Sequence, residues 1–146
     1  MNDNWKSLAA IPDLGAFDHI ALLVQDLGTE TEMYRSVYGA GISATEDNPH
    51  YGVSSVFVDL GYARLRLLQP HGRDSAITGL VAPHDWAGIH HVCYKVDDIE
   101  QVRDRLRSEG CRPLSEDEFK RSAQGKLIVF LRPSGGRGPL IKLEQR

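Results

Sequence analysis

Two adjacent histidines, His90 and His91, sit in the stretch GIHHVCYKVDDI (88–99). An imidazole in a pocket can move a proton near neutral pH or ligate a metal. The stretch reads as a β-strand, where neighbouring side chains point to opposite faces. Only one of the two can therefore enter a given pocket. An earlier stretch, DHIALLVQDL (18–27), matches HHVCYKVDDI (90–99), so His19 corresponds to His91. In the same way RLRLLQ (64–69) matches LIKLEQ (140–145), so Arg66 corresponds to Lys142. Parity then sorts the faces. Ile20, Leu22 and Val24 share a face that should pack under a helix, which leaves His19, Ala21 and Leu23 on the other. Val92, Tyr94 and Val96 are the counterpart, leaving His91, Cys93 and Lys95 opposite. On the last strand of each copy Arg64, Arg66 and Leu68, and Leu140, Lys142 and Glu144, take the pocket side. The expectation is that His19, Arg66, His91 and Lys142 converge, with His90 on an outer face.

The elements that must position these groups repeat in order. FDHIALLV (17–24) is a strand. Asp26 is an N-cap for a helix striped by Leu27, Tyr34, Val37 and Tyr38 and ended by Gly39 and Gly41. A short strand follows near Ile42, EDNPHYG (46–52) is loop-like, and VSSVFVDL (53–60) and ARLRLLQ (63–69) are strands around a turn at Gly61 and Tyr62. PHGRDSAITGLVAPHDWAG (70–88) reads as loop with one short helix near Ala76. The second copy has a strand at 89–96 and a helix capped by Asp98 and Gln101, with Ile99, Val102 and Leu106 inward and Gly110 as its stop. A short strand near Leu114 and strands at 126–133 and 139–145, around the turn SGGRG (134–138), complete it. This gives an α+β fold of two β-α-β-β-β modules pairing into a curved, barrel-like sheet with a central cleft. Residues 1–15 form an arm before one domain over 16–146, with modules at about 16–70 and 89–146 and a linker at 71–88.

The 146 residues carry a net charge of −3, so nothing in the overall charge argues for a nucleic-acid partner. No apolar run is long enough to span a membrane. MNDNWKSLAAIPDLG lacks the basic end, apolar stretch and small-residue cleavage site of a signal peptide, so a cytoplasmic protein is expected. The two cysteines, Cys93 and Cys111, then read as reduced thiols.

DHIALLV, LLQPHGRDSAI, GIHHVCYKVDDI and LIKLEQ, in this order and spacing, resemble the vicinal-oxygen-chelate superfamily of glyoxalases, extradiol dioxygenases and bleomycin-binding proteins. Within it they are most similar to the methylmalonyl-CoA epimerase family, from about Phe17 to the C-terminus. The resemblance implies a homodimer and a divalent metal held by two histidines and two Glu or Gln residues. The histidines match His19 and His91, but the other two positions fall on Arg66 and Lys142. A glutamate acid/base of some epimerases falls on Ser55, and a loop histidine falls on Gln124.

Those replacements change the chemistry. Arginine has no usable lone pair and stays charged, and lysine ligates only after losing its proton. Two unit charges ~4 Å apart interact by roughly 4 kcal/mol at an effective dielectric near 20, and a divalent ion doubles that. The expectation is therefore no cofactor, with His19 and His91 the ligands if a divalent metal is bound. Strand register leaves Glu144 as a further donor. The leading reading is a metal-independent isomerase-, epimerase- or lyase-like enzyme on an acyl thioester or small carboxylate. Arg66 grips the anion, and His19, His91 or Lys142 acts as acid or base. Ser55, Glu144, His50 and Tyr51 stand at the edge of the substrate site. Two alternatives stay open beside an ordinary metal-dependent epimerase. One is a non-catalytic small-molecule binding protein. The other is a degenerate subunit in which Arg66 and Lys142 pair with Glu144 or Asp18. Arg73 could meet a CoA phosphate, Cys93 reads as a small packing residue, and SGGRG reads as a hairpin turn.

Overall fold

The computed structural model describes residues 14–49, 51–72, 88–114, 119–122, 124–136 and 138–146. The chain divides into two compact units, His19–His90, and His91–Arg146 with the chain up to Asp18. The amino-terminal module runs β1 (Ala16–Leu23), α1 (Leu27–Ser36), β2 (Gly41–Ile42), β3 (Glu46–Asn48), β4 (Val53–Asp59) and β5 (Arg64–Pro70). The carboxy-terminal module repeats this as β6 (Gly88–Val96), α2 (Ile99–Ser108), β7 (Arg112–Pro113), β8 (Lys120–Arg121), β9 (Leu127–Arg132) and β10 (Leu140–Gln145). Strand order is β2-β4-β5-β1 with β3 on β4 in the first, and β6-β10-β9-β7 with β8 on β9 in the second. Both are mixed sheets of the expected α+β class. β1 pairs parallel with β5 and β6 with β10, while the remaining pairs are antiparallel.

Each helix starts in the same way. Asp26 accepts from the Thr29 N–H at 3.0 Å and Asp98 from the Gln101 N–H at 3.1 Å. The first helical N–H of each is also met from the last strand of its module. Leu27 N–H donates to Gln69 Oε1 at 2.7 Å, and Ile99 N–H to Gln145 Oε1 at 3.1 Å. These N–H groups have no partner inside their own helix. The glutamines thus tie helix to sheet where the helix packs on it. Beneath α1 lie Val24, Leu27, Val56, Val58 and Leu67. Beneath α2 lie Val96, Ile99, Cys111, Val129, Leu131 and Leu143. Gly110 ends α2 at φ +98°, and a Cβ there would stand 2.7 Å from Ser134 Oγ, so a side chain is excluded on both counts.

Three expectations need correction. Residues 46–48 are a strand on β4 rather than loop, and β8 likewise pairs with β9. Both segments, EDN and KR, are too short and polar for alternation to reveal them. Val37 and Tyr38 are exposed, because α1 stops at Ser36 with Val37 as its C-cap. His90, expected on an outer face, is buried at 1% exposure, because it shares the helix-side parity of Val92 and Val96 rather than an open surface. Cys93 and Cys111 are both buried, and neither is in a disulfide. The segment near Ala76 lies outside the described residues. No helix among the described residues is long and apolar enough to cross a membrane.

These contacts have measurable consequences for stability. Gln145→Leu leaves the Ile99 N–H without its acceptor and should cost about 1–3 kcal/mol in urea unfolding, with Gln69→Leu similar through Leu27. Burial raises the pKa values of Tyr34, Tyr51 and Tyr94 above the ordinary phenol value of 10.0, and Glu30 and Tyr38 push Tyr34 up further. A phenol with a raised folded-state pKa contributes stability that is complete below the unfolded value and is lost as pH rises through the folded one. The urea midpoint should therefore fall above pH ~10, and less so in the triple Tyr→Phe variant.

Candidate functional site

In the amino-terminal module, register places the predicted groups together. Ala21 lies opposite Arg66, and Phe57 and Ser55 lie opposite Arg66 and Leu68. His19, two residues before Ala21, therefore shares a face with Arg66, Phe57 and Ser55. His19 is 2% exposed, and its ring meets Phe57 edge-on at 5.4 Å and 79°. The Arg66 guanidinium stands 5.2 Å from the centroid of that ring, and that of Arg64 4.1 Å from it. Arg66 also donates from Nε and Nη2 to the buried Ser55 Oγ at 3.4 and 3.3 Å, distances that make these weak bonds. Tyr51 packs on the same face against Ala21, Leu23, Val53 and Leu68.

The carboxy-terminal module repeats the arrangement. Lys142 lies opposite Cys93 on one side and Phe130 on the other, which puts it on the face of His91. His91, 2% exposed, meets the Phe130 ring at 5.2 Å and 81°. Lys142 is 6% exposed, and its ammonium stands 5.9 Å from the centroid of the same ring. Each module thus sets a buried histidine and a cation against one phenylalanine. An aromatic face attracts a cation by about 0.5–2 kcal/mol, and it separates cation from imidazole without adding a charge. Glu144, on this face too, is held in an ion pair with Lys95.

The structure brings His19, Ser55 and Arg66 to one face, and His91, Lys142 and Glu144 to one face of the other module, as strand parity predicts. Phe57 and Phe130, on the middle strands, are the residues that sequence reasoning missed. Their signal lies in the matching triplets VFV (56–58) and VFL (129–131). Gln124 lies in the turn between β8 and β9. His50, Arg73 and His84 fall outside the described residues.

The donors on these faces make at most a partial metal site. Each offers one imidazole. The second position of each is a cation, and the Glu144 carboxylate is already engaged by Lys95. Asp18 and Cys93, both of the carboxy-terminal unit, add ligand atoms within 4.8 Å of each other. The residues present therefore do not fit the set of two histidines and two Glu or Gln residues that the resemblance implies.

Residues 18–130 match the Glyoxalase/Bleomycin resistance protein/Dioxygenase superfamily. The chain belongs to this superfamily. An ethylmalonyl-CoA/methylmalonyl-CoA epimerase of Cereibacter sphaeroides is 40% identical over 132 residues, covering 90% of this chain and 98% of that one. The mitochondrial methylmalonyl-CoA epimerase of Mus musculus is 43% identical, covering 90% and 74%. A Streptomyces coelicolor methylmalonyl-CoA epimerase solved with 2-nitronate-propionyl-CoA is 33% identical with a TM-score of 0.73, covering 90% and 97%. This homology supports an enzyme of the epimerase or isomerase type.

A buried cation need not stabilise the fold. Lys142→Met should change unfolding stability by no more than about 1 kcal/mol, because an apolar side chain of similar length replaces a costly buried charge. A loss of about 3–5 kcal/mol would instead mark Lys142 as half of a structural ion pair.

Proposed function

We propose that this chain is a methylmalonyl-CoA-epimerase-like enzyme that moves the proton on the carbon next to an acyl thioester carbonyl, using fixed protein cations where its family uses a metal. The observation that carries this reading is the repeated trio of buried histidine, phenylalanine and cation, with Arg66 and Lys142 at the positions where the resemblance puts Glu or Gln ligands. Removing that proton builds negative charge on the carbonyl oxygen. A guanidinium or ammonium fixed in a poorly solvated site stabilises such an oxyanion without solvent reorganisation. His19 and His91 are the acid and base, and Lys142 is a second proton carrier on the His91 face. Arg66, steadied by Ser55, is a permanent charge suited to grip a carboxylate or the enolate oxygen. Tyr51 and Glu144 line the same faces, and His50 adjoins Tyr51 in sequence. The substrate class, an acyl-CoA thioester with a free carboxylate, is carried over from the relatives, and a homodimer from the family resemblance.

The test is exchange of the α-proton of methylmalonyl-CoA in D2O, followed by proton NMR with chelator-treated protein. Exchange should persist after chelation and fall about 10²-fold or more in His91→Ala. Activity that disappears on chelation and returns with cobalt would overturn the cation reading and restore an ordinary metal-dependent epimerase. Tight binding of an acyl-CoA with no exchange across a panel of thioesters would make the chain a binding protein instead.

A further inference from the structure

The amino-terminal module carries a second cluster on the opposite side of its sheet. Ser54 follows Val53 on β4 and points away from the face of Ser55 and His19. Its hydroxyl meets two groups from separate segments. Asp47 of β3 lies directly opposite Ser54 in the register, and its Oδ1 accepts a hydrogen bond from Ser54 Oγ. His71, just after β5, brings Nε2 to 2.6 Å from the same Oγ. The His71 backbone N–H donates to Gly52 O at 2.7 Å, which fixes the imidazole beside the start of β4. Carboxylate, hydroxyl and imidazole therefore meet at one point, each placed by backbone pairing.

The proton count at that point is limiting. A serine hydroxyl has one proton and an ionised carboxylate has none. Both contacts are true hydrogen bonds only when Ser54 donates to Asp47 and His71 carries its proton on Nε2. With the proton on Nδ1, lone pairs of Asp47 and His71 face a hydroxyl that can serve only one of them. A cation satisfies both at once. An imidazole and a carboxylate are good ligands for a divalent transition metal, and a hydroxyl and water can fill further positions.

We propose that Asp47, Ser54 and His71 form a binding site for a divalent transition-metal cation on the side of the sheet opposite His19. Here the donors carry negative charge or a neutral lone pair, whereas the His19 face carries Arg64 and Arg66. The bound ion pins β3 and the segment after β5 onto β4, so its effect is on stability rather than on proton transfer.

Cobalt(II) is the probe, read by its visible d–d absorption and by the thermal midpoint of the full chain. The wild type should take up cobalt and unfold at a higher temperature with it. Both effects should be lost in His71→Ala and in Asp47→Asn, which are surface changes, and kept in the His19→Ala/His91→Ala double variant. No cobalt uptake by the wild type would overturn this site and leave the proton-transfer reading standing. Uptake that survives in both cluster variants but is lost in the histidine double variant would overturn this site and the metal-free reading together.

Discussion

In each module the parallel pairing of the first strand with the last governs both the polar face and the seating of the helix. Placing Ala21 opposite Arg66 puts His19 and Arg66 on one face, and placing Cys93 opposite Lys142 does the same for His91. A slip of one residue would turn every one of these side chains to the helix side. The same pairing brings Gln69 and Gln145 to the helix starts, where their amides meet Leu27 and Ile99. Helix attachment and the arrangement of the polar face are therefore set by one register. A shift that lost the site would also lose a cap and bury charge against the core.

A guanidinium or ammonium beside a buried imidazole is an unfavourable neighbour when the imidazole is protonated. Each module meets this with a ring. Phe57 and Phe130 present an edge-to-face contact to the histidine and a π-face to the cation. The ring holds both groups while adding no formal charge and no proton of its own. A divalent ion at the same place would need carboxylates where the cations stand. In the proposed reading, cations stand at the positions where the family resemblance implies metal ligands, within an unchanged strand framework. That makes the change chemical rather than architectural, and it agrees with 40% identity to an epimerase across nearly the whole of both chains.

Much of this was legible in the sequence because the repeat supplied an internal check. The caps Asp26 and Asp98, the long strands and the facing of His19, Arg66, His91 and Lys142 all follow from period-two alternation read twice. The features that stayed hidden did so for physical reasons. β3 and β8 are two or three polar residues whose strand state comes only from pairing with β4 and β9. His90 looked like a surface residue because a strand pattern gives the side of a residue but not what covers it. The Lys95–Glu144 pair joins residues that only the β6–β10 register brings side by side. The meeting of Asp47, Ser54 and His71 depends in the same way on the position of a strand that periodicity cannot detect.

The two modules share geometry but not chemistry. At matching places the amino-terminal face has Ala21, Leu23 and Leu68, and the carboxy-terminal face has Cys93, Lys95 and Glu144. The first three are buried and pack with Val53 into an apolar cluster. Arg66 is thus a permanent charge set beside an apolar wall, a surrounding in which its attraction to an anion would be strengthened. Lys142 instead sits among a thiol and an ion pair, and it can itself release a proton. In the proposed reaction the two faces therefore differ in their cation: Arg66 grips the anion, and Lys142 adds a second proton carrier beside His91. His19 and His91, alike in burial and in ring contact, differ in the cation each one accompanies.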